Sequence, residues 1–225
     1  MSEPVLRAVA VHKSFGPTPA LRGAGLTLAP GEVLAVMGPS GSGKSTLLHC
    51  LAGVLRPDAG EVWFAGRRLD ALPELERSRV RRDRFGFVFQ FGQLVPELPV
   101  LDNVLLPLLL AGHRRRAARK AAAELLDRLE LTGLEARRPG ELSGGQAQRV
   151  AVARALITAP EVVFADEPTG SLDSLTGERV MDLLVDSARE RGASIVLVTH
   201  DARVAAYADR EVVVRDGLVT TLAAA

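Results

Sequence analysis

The chain contains 225 residues, of which 47% are hydrophobic and 24% are charged, and its formal net charge at pH 7 is +1. This length allows one sizeable core with room for subdomains, and it excludes two large domains. The near-neutral charge gives no global field that would draw the protein to nucleic acid or to an anionic membrane, and the single cysteine, Cys50, excludes an internal disulfide framework.

The first 30 residues are predicted to be rich in β-structure. Apolar residues recur between Pro4 and Phe15, and a second apolar stretch runs up to the turn at Pro30 and Gly31. No charged-then-apolar leader opens the sequence, so we expect a protein that is not secreted. The ring of Phe15 could stack on a purine, at about 1–3 kcal/mol per base, although its spacing alone favours an ordinary core or turn position.

Residues 38–46 match the phosphate-binding pattern G-x-x-x-x-G-K-[ST], and we call this segment the cradle. It consists of Gly38, Pro39, Ser40, Gly41, Ser42, Gly43, Lys44, Ser45 and Thr46. Apolar runs over 33–37 and 47–51 flank it, which predicts a strand, a glycine loop and a helix. The glycines let successive N–H groups point inward, and the positive end of the helix faces the same anion. Lys44 would reach the outer phosphates, and the Ser45 hydroxyl would bind Mg²⁺.

Beyond the cradle the pattern predicts antiparallel strands and basic helices. Residues 61–66 and the later 211–217 are expected to be antiparallel strands outside a parallel core. Residues 73–84 and 113–120 carry basic clusters, which we interpret as solvated helix faces because nucleic-acid surfaces interleave basic with aromatic residues. The chain has one tyrosine and one tryptophan, so we predict no nucleic-acid partner.

Gln90 directly follows the predicted strand 85–89. It becomes a candidate site residue only if that strand lies beside the cradle. From Leu94 to about Leu134 the pattern becomes helical, with apolar residues on one helix face, and we predict an inserted helical subdomain over 92–148. The apolar run 104–111 is far shorter than the roughly 18–20 residues that a membrane span needs.

Three later segments carry polar groups at places where chemistry is expected. Ser143, Gly144, Gly145 and Gln146 precede a helical run, and a serine followed by two glycines predicts a bare helix N-terminus that can meet an anion. A buried strand ends at Asp166, which would hold Mg²⁺ through water, and Glu167, which would orient or deprotonate the attacking water. Another buried strand ends at His200, where open α/β sheets place their ligand contacts.

Together these segments resemble the ATP-binding cassette (ABC) ATPases over nearly the whole chain. The matching motifs, in chain order, are Walker A (38–46), the Q-loop residue Gln90, the signature segment (142–146), Walker B (162–167), the D-loop segment (171–173) and the switch histidine His200. The resemblance implies one α/β nucleotide-binding domain over 1–225. Its P-loop NTPase (RecA-like) parallel core would carry an antiparallel β subdomain and an inserted α-helical subdomain.

The resemblance also implies a site shared by two copies of the chain. They would face head to tail, with ATP held between the cradle of one copy and the signature segment of the other. ATP contacts are implied for Phe15, residues 38–46, Gln90, Ser143, Gly144, Gly145, Gln146, Asp166 and Asp173. Mg²⁺ contacts are implied for Ser45, Gln90 and Asp166, and catalytic roles for Lys44, Gln90, Glu167 and His200. Phe15 replaces the tyrosine that the family usually stacks on adenine.

Residues 89–91, 94–96, 103–104 and 166–173 resemble one branch, which contains lipoprotein-release, macrolide-export, antimicrobial-peptide-export and cell-division ATPases. We therefore expect an ATP-dependent homodimer that drives a separate integral membrane permease and lies peripherally on the cytoplasmic face of the cell membrane. Two alternatives remain. One is an ATPase of a non-transport complex, such as a cell-division regulator or an antibiotic-peptide sensor. The other is a P-loop kinase or another nucleotide-binding enzyme with a soluble acceptor, which the adjacent acids and the signature segment disfavour.

Overall fold

The computed structural model describes residues 3–221, so residues 1–2 and 222–225 of the predicted domain lie outside the described part. A four-stranded antiparallel sheet, in the order β2-β1-β4-β5, contains β1 (Leu6–Phe15), β2 (Thr18–Leu28), β4 (Ala59–Phe64) and β5 (Arg67–Arg68). A six-stranded sheet, in the order β10-β9-β3-β8-β7-β6, contains β3 (Val33–Met37), β6 (Phe85–Phe89), β7 (Val162–Asp166), β8 (Ser194–Val198), β9 (Arg210–Arg215) and β10 (Leu218–Thr221).

The helices cover the larger sheet and form the inserted segment. They are α1 (Lys44–Leu51), α2 (Glu74–Arg84), α3 (Val100–Leu110), α4 (Arg115–Arg128), α5 (Gly144–Leu156), α6 (Ser174–Glu190) and α7 (Ala202–Ala205). None of these helices, all within 3–221, is long and apolar enough to cross a membrane. The α/β fold with a parallel core, an antiparallel sheet and inserted helices confirms the prediction from sequence.

The central strands consist mainly of buried apolar residues because both faces of the larger sheet are covered. In β7, Val163 packs with the helices of the inserted segment, while its neighbour Phe164 packs with α1 and the antiparallel sheet. The same alternation separates Ile195 from Val196 in β8. Two hydrophobic clusters thus pack against the two faces of the larger sheet. They hold in place the strand ends that lead into the polar loops.

The prediction for residues 211–217 was wrong in one respect. Strand β9 pairs in parallel with β3, with Val212 opposite Val36, and so belongs to the parallel sheet rather than lying outside it. Among the described strands of the larger sheet, only β10 runs antiparallel, against β9. By contrast, β4 pairs antiparallel with β1 outside the parallel core, as predicted.

Within the predicted inserted segment (92–148), α3 and α4 lie inside the bounds and α5 begins there, but α5 continues to Leu156. Asn103 is fully buried and organises the entry to α3. Its Oδ1 accepts a hydrogen bond from Val95 N at 2.8 Å, and its Nδ2 donates to Leu98 O at 2.9 Å. This side chain replaces backbone partners that the irregular loop before α3 lacks.

Candidate functional site

The cradle turns sharply between β3 and α1. Gly43 precedes α1 with φ 105°, and a Cβ there would lie 2.4 Å from Ala20 O of the adjacent strand. Only glycine allows this close approach. Lys44 is buried, and its Nζ donates to Gly38 O at 2.8 Å and to Pro39 O at 2.9 Å. The ammonium group is therefore held at the mouth of the loop by the backbone of the loop itself.

The cradle presents several hydrogen-bond donors that the described part of the chain does not use. No described residue accepts a hydrogen bond from the backbone N–H of Lys44, Ser45 or Thr46, which form the first turn of α1. The Ser42 Oγ is buried and likewise has no partner among the described residues. Free N–H groups at a helix N-terminus beside a lysine make an anion site.

Phe15 lies at the edge of this loop. The residue is 53% exposed at the end of β1, and it lines a hollow of about 200 Å³. The other lining residues are Ala20, Gly41, Gly43, Lys44, Ser45 and Thr46. An exposed aromatic face next to an anion site favours the stacking interpretation of Phe15 over the core position.

Asp166, at the end of β7, faces the cradle. The Ser45 hydroxyl donates to its Oδ1 at 3.4 Å, which brings together two of the three predicted metal ligands. Burial raises the pKa of the Asp166 carboxyl, and the hydrogen bond from Ser45 opposes that shift. A hydroxyl and one carboxylate are oxygen ligands of the kind that Mg²⁺ takes beside phosphate.

Glu167 follows Asp166 in a strained conformation, with φ 47°. Backbone strain of this kind costs about 1–3 kcal/mol and clusters at functional sites. Its Oε1 lies 2.7 Å from His200 Nδ1, and its Oε2 accepts from Thr199 Oγ1 at 3.3 Å. An ionised carboxylate only accepts hydrogen bonds, so this contact assigns the proton to Nδ1, and Nε2 makes no hydrogen bond to a described residue.

The signature segment differs from the prediction of a bare helix N-terminus. Ser143 is the N-cap of α5, and a capping box links it to Gln146: Ser143 Oγ accepts from Gln146 N at 3.3 Å, and Gln146 Oε1 accepts from Ser143 N at 2.9 Å. The helix start is thus capped. Ser143 and Gly144 are exposed, whereas Gly145 is buried against Thr176, whose Cγ2 would lie 2.2 Å from an added Cβ.

Asp173 and Gln90 are not among the described residues that line the hollow at the cradle. Asp173 caps α6 by accepting from Thr176 N at 3.0 Å, and hydrogen bonds from the side chain and backbone of Thr176 hold the pKa of its carboxyl below the usual range. Strand β6 is at the edge of the described sheet, separated from β3 by β7 and β8, so Gln90 does not end a strand beside the cradle. Its carbonyl accepts from Ser171 Oγ at 3.0 Å, next to the D-loop segment.

Sequence reasoning missed several residues that hold these loops. Thr199 contacts Glu167, as described above. Gln148 Nε2 donates to Phe89 O at 2.8 Å, and Arg154 donates to Gln93 O at 2.7 Å and Gly92 O at 2.6 Å. Both side chains come from α5 and fix the segment around Gln90. The available signal was a glutamine at a helix position that the apolar pattern predicts to be buried. The structure places Gln148 there, 2% exposed.

The predicted residues therefore form two groups. The cradle, Phe15, Asp166, Glu167 and His200 gather at the carboxyl ends of β3, β7 and β8. Residues 143–146 are not among the residues that line the described hollow. They pack instead against the D-loop segment and α6, where the Leu172 Cδ2 would lie 3.2 Å from a Cβ at Gly144.

Comparison with known proteins gives a consistent family. A sequence profile described as ABC transporter matches residues 21–170. The lipoprotein-releasing system ATP-binding protein LolD of Maricaulis maris is 46% identical, over 98% of this chain and 98% of its own length. The protein of the same name from Paramagnetospirillum magneticum is 48% identical over 88% of each chain.

Solved structures agree. An ATP-binding cassette described as dimeric, in a post-hydrolysis state with ADP and Pi, matches with a TM-score of 0.87 and 39% identity, covering 98% of this chain and 100% of that one. The cbiO1 protein of Clostridium perfringens, described as part of an ABC transporter complex, matches with a TM-score of 0.88 and 30% identity, covering 97% of this chain and 88% of that one.

Proposed function

The chain belongs to the ATP-binding cassette transporter family and is an ATP-hydrolysing subunit, and from this premise we propose how it works. Two copies enclose ATP between the cradle of one and the signature segment of the other. Hydrolysis reopens this dimer, and the movement drives a separate membrane-spanning partner. The observation that carries the proposal is the contact between Glu167 and His200 beside a cradle with unused donors.

The cradle and the residues beside it have separate roles in binding ATP and in hydrolysing it. The free N–H groups at the start of α1 and the Lys44 ammonium neutralise the phosphates, and Phe15 stacks on the adenine. Glu167 accepts a proton from the attacking water, and His200 holds that carboxylate in place through Nδ1 while Nε2 meets the γ-phosphate. Ser45 and Asp166 would hold Mg²⁺, which when bound would neutralise charge on the phosphates.

The partner copy completes the site through its exposed signature segment. The Ser143 Oγ accepts from Gln146 N, so its own O–H is free to donate to a phosphate oxygen. No described residue accepts a hydrogen bond from the N–H of Gly144. This segment does not line the hollow of its own chain, so a second copy supplies it. The solved relative described as dimeric supports this arrangement.

A groove between α2, β6 and α3 is the proposed seat of the membrane partner. It encloses about 580 Å³, and its apolar lining includes Phe87, Phe89 and Leu106. Leu110 stands at its rim and is 64% exposed. Arg154, which also lines the groove, holds the segment after Gln90. A partner helix seated here would press on the segment that carries Gln90, a residue that would help to hold Mg²⁺.

The relatives named as lipoprotein-releasing ATP-binding proteins favour a lipoprotein-handling system over the other members of the branch. We propose that the chain serves such a system on the cytoplasmic face of the cell membrane. A regulator of cell division or an antibiotic-peptide sensor remains the alternative, and the membrane protein that co-purifies with the tagged chain decides between them. Leu110→Arg should abolish co-purification, whereas Ala123→Arg on the exposed face of α4 should not.

The nucleotide site itself is tested by Lys44→Ala. The substitution removes the cation at the mouth of the cradle, so binding of ATP should weaken by at least about tenfold. Titration with a fluorescent ATP analogue measures this loss. Lys120→Ala, which removes an exposed lysine from α4, is the matched control. Unchanged affinity in Lys44→Ala would reject the cradle as the phosphate site.

A further inference from the structure

The segment 202–207, which follows His200 and contains α7, is joined to α6 by two polar side chains, those of Arg203 and Tyr207. Arg203 Nη1 donates to Ser174 Oγ at 2.8 Å, and the Tyr207 hydroxyl donates to Asp182 Oδ1 at 3.0 Å. Ser174 is the first residue of α6 and follows directly on the D-loop segment. The side chains of both helices enclose a small cavity of about 50 Å³. The segment carrying His200 is therefore joined to the D-loop segment of the same chain.

Arg203 is also linked to the Glu167 carboxylate, through Asp201 and Thr199. Arg203 Nη2 donates to Asp201 Oδ2 at 2.9 Å, and Asp201 N donates to Thr199 Oγ1 at 3.1 Å. Thr199 Oγ1 in turn donates to Glu167 Oε2 at 3.3 Å. A continuous series of hydrogen bonds therefore runs from Glu167 to Ser174, and Arg203 is the member that spans the two segments.

This series orients groups rather than stabilising the fold. The side chain of Arg203 is 65% exposed and that of Asp201 is 34% exposed, and exposed ion pairs contribute little to stability. Hydrogen bonds from Arg203 hold the pKa of the Asp201 carboxyl below its usual range. His200 is itself exposed, and among the described residues its ring hydrogen-bonds only to Glu167. Its placement thus depends on the residues that flank it, Thr199 and Asp201.

We propose that Arg203 is a positioning residue that couples the D-loop segment to His200 within one subunit. When the second copy displaces the D-loop segment, Ser174 moves with it, and Arg203 passes the displacement to Asp201 and so to His200. The inference rests on the proposed function, because it requires that Glu167 and His200 act on ATP bound at the cradle. Arg203 does not line the hollow at the cradle, so its loss leaves nucleotide binding intact.

Steady-state ATP hydrolysis by the full chain tests this coupling in four variants: Arg203→Ala, Arg203→Lys, Ser174→Ala and the Arg203→Ala/Ser174→Ala double variant. In Arg203→Ala, kcat should fall by about tenfold while KM for ATP changes by less than about twofold. Ser174→Ala should lower kcat in the same way, and Arg203→Lys, which keeps one donor, should recover part of the loss. The double variant should be no slower than Arg203→Ala, because both changes break one series.

Arg189→Ala is the matched control. Its guanidinium pairs with Asp209 at 2.9 Å and is 50% exposed, so its loss removes a similar surface ion pair and should leave kcat unchanged. Unchanged kcat in Ser174→Ala or Arg203→Ala, or losses that multiply in the double variant, would overturn the coupling. Glu167→Gln is assayed beside them. If Glu167→Gln still hydrolyses ATP, the proposed function itself is wrong. If Glu167→Gln is inactive but Arg203→Ala has a normal kcat, only the coupling is wrong.

Discussion

His200 Nδ1 lies 2.7 Å from Glu167 Oε1, although the two residues are 33 positions apart in the chain. Each follows a central strand of the parallel sheet, β8 and β7, which are direct neighbours. The pairing of these strands therefore brings an imidazole and a carboxylate together at one edge of the sheet. Glu167 N also donates to Val198 O at 2.9 Å, which locks its strained backbone against the end of β8.

Substituting Glu167 by glutamine should abolish ATP hydrolysis without weakening the binding of ATP. The amide is isosteric but cannot accept the proton of the attacking water, so kcat should fall by at least about 10²–10⁴-fold. Equilibrium binding of ATP should stay within about threefold of the unmodified protein, because the cradle is untouched. Phosphate release and nucleotide titration measure the two quantities. Near-normal turnover would exclude Glu167 as the catalytic carboxylate.

Phe15 should contribute to affinity through its ring alone. Phe15→Ala removes the stacking surface, worth about 1–3 kcal/mol, so the Kd for ATP should rise by about 5- to 150-fold. Phe15→Tyr keeps the ring and should bind as the unmodified chain does. Isothermal titration with ATP and with inorganic triphosphate separates the two contributions, since triphosphate lacks the base. A loss of triphosphate binding in Phe15→Ala would show that the ring supports the cradle instead.

Gly38→Ala should destabilise the protein in the absence of nucleotide. Gly38 has φ 143°, and a Cβ there would lie 2.2 Å from Val214 O of β9. Overpacking and backbone strain together should cost about 2–5 kcal/mol in the free energy of unfolding. Gly192→Ala is the control, because Gly192 has φ 69° with nothing within 4 Å of the added Cβ, and strain alone costs about 1–2 kcal/mol. Equal losses in urea unfolding would contradict the close contact.

Cys50 should report on the integrity of α1. Burial raises the pKa of its thiol from 9.0 to about 11, so the reactive thiolate is scarce at pH 8. We expect labelling by a maleimide to be at least about 100-fold slower in the native protein than in urea. Because the unfolded thiol ionises first, stability should fall as the pH rises above 9.0 toward 11, and Cys50→Ala should remove that part of the decline. Equal labelling rates would mean that α1 opens readily.

The sequence predicted the cradle and the strands β7 and β8 because their signals are local. Continuous apolar residues mark strands buried on both faces, and the glycines and the lysine of the cradle act within one turn. Strand β9 was misassigned because its half-buried pattern is the same whether the neighbour runs parallel or antiparallel, and the choice of β3 as its partner is set by the whole sheet.

The finer geometry of the site could not be predicted for the same reason. The neighbours of Gln90 depend on the strand order, which places β6 at the edge of the described sheet and pairs it with β7, with Phe89 opposite Asp166. The capping box at Ser143 was readable, since a serine followed three residues later by glutamine is its signature. The bond from Arg203 to Ser174 joins residues 29 positions apart, and it carries no sequence signal of its own.

The most direct test of the shared site is sedimentation of Glu167→Gln with and without saturating ATP. The variant retains ATP, so it should sediment as a monomer without nucleotide and as a dimer with it. Adding Ser143→Arg should restore the monomer in the presence of ATP, whereas adding Ala123→Arg on α4 should leave the dimer intact. A monomer at saturating ATP, or an ATP-dependent dimer that Ser143→Arg does not disturb, would contradict a nucleotide held between two copies.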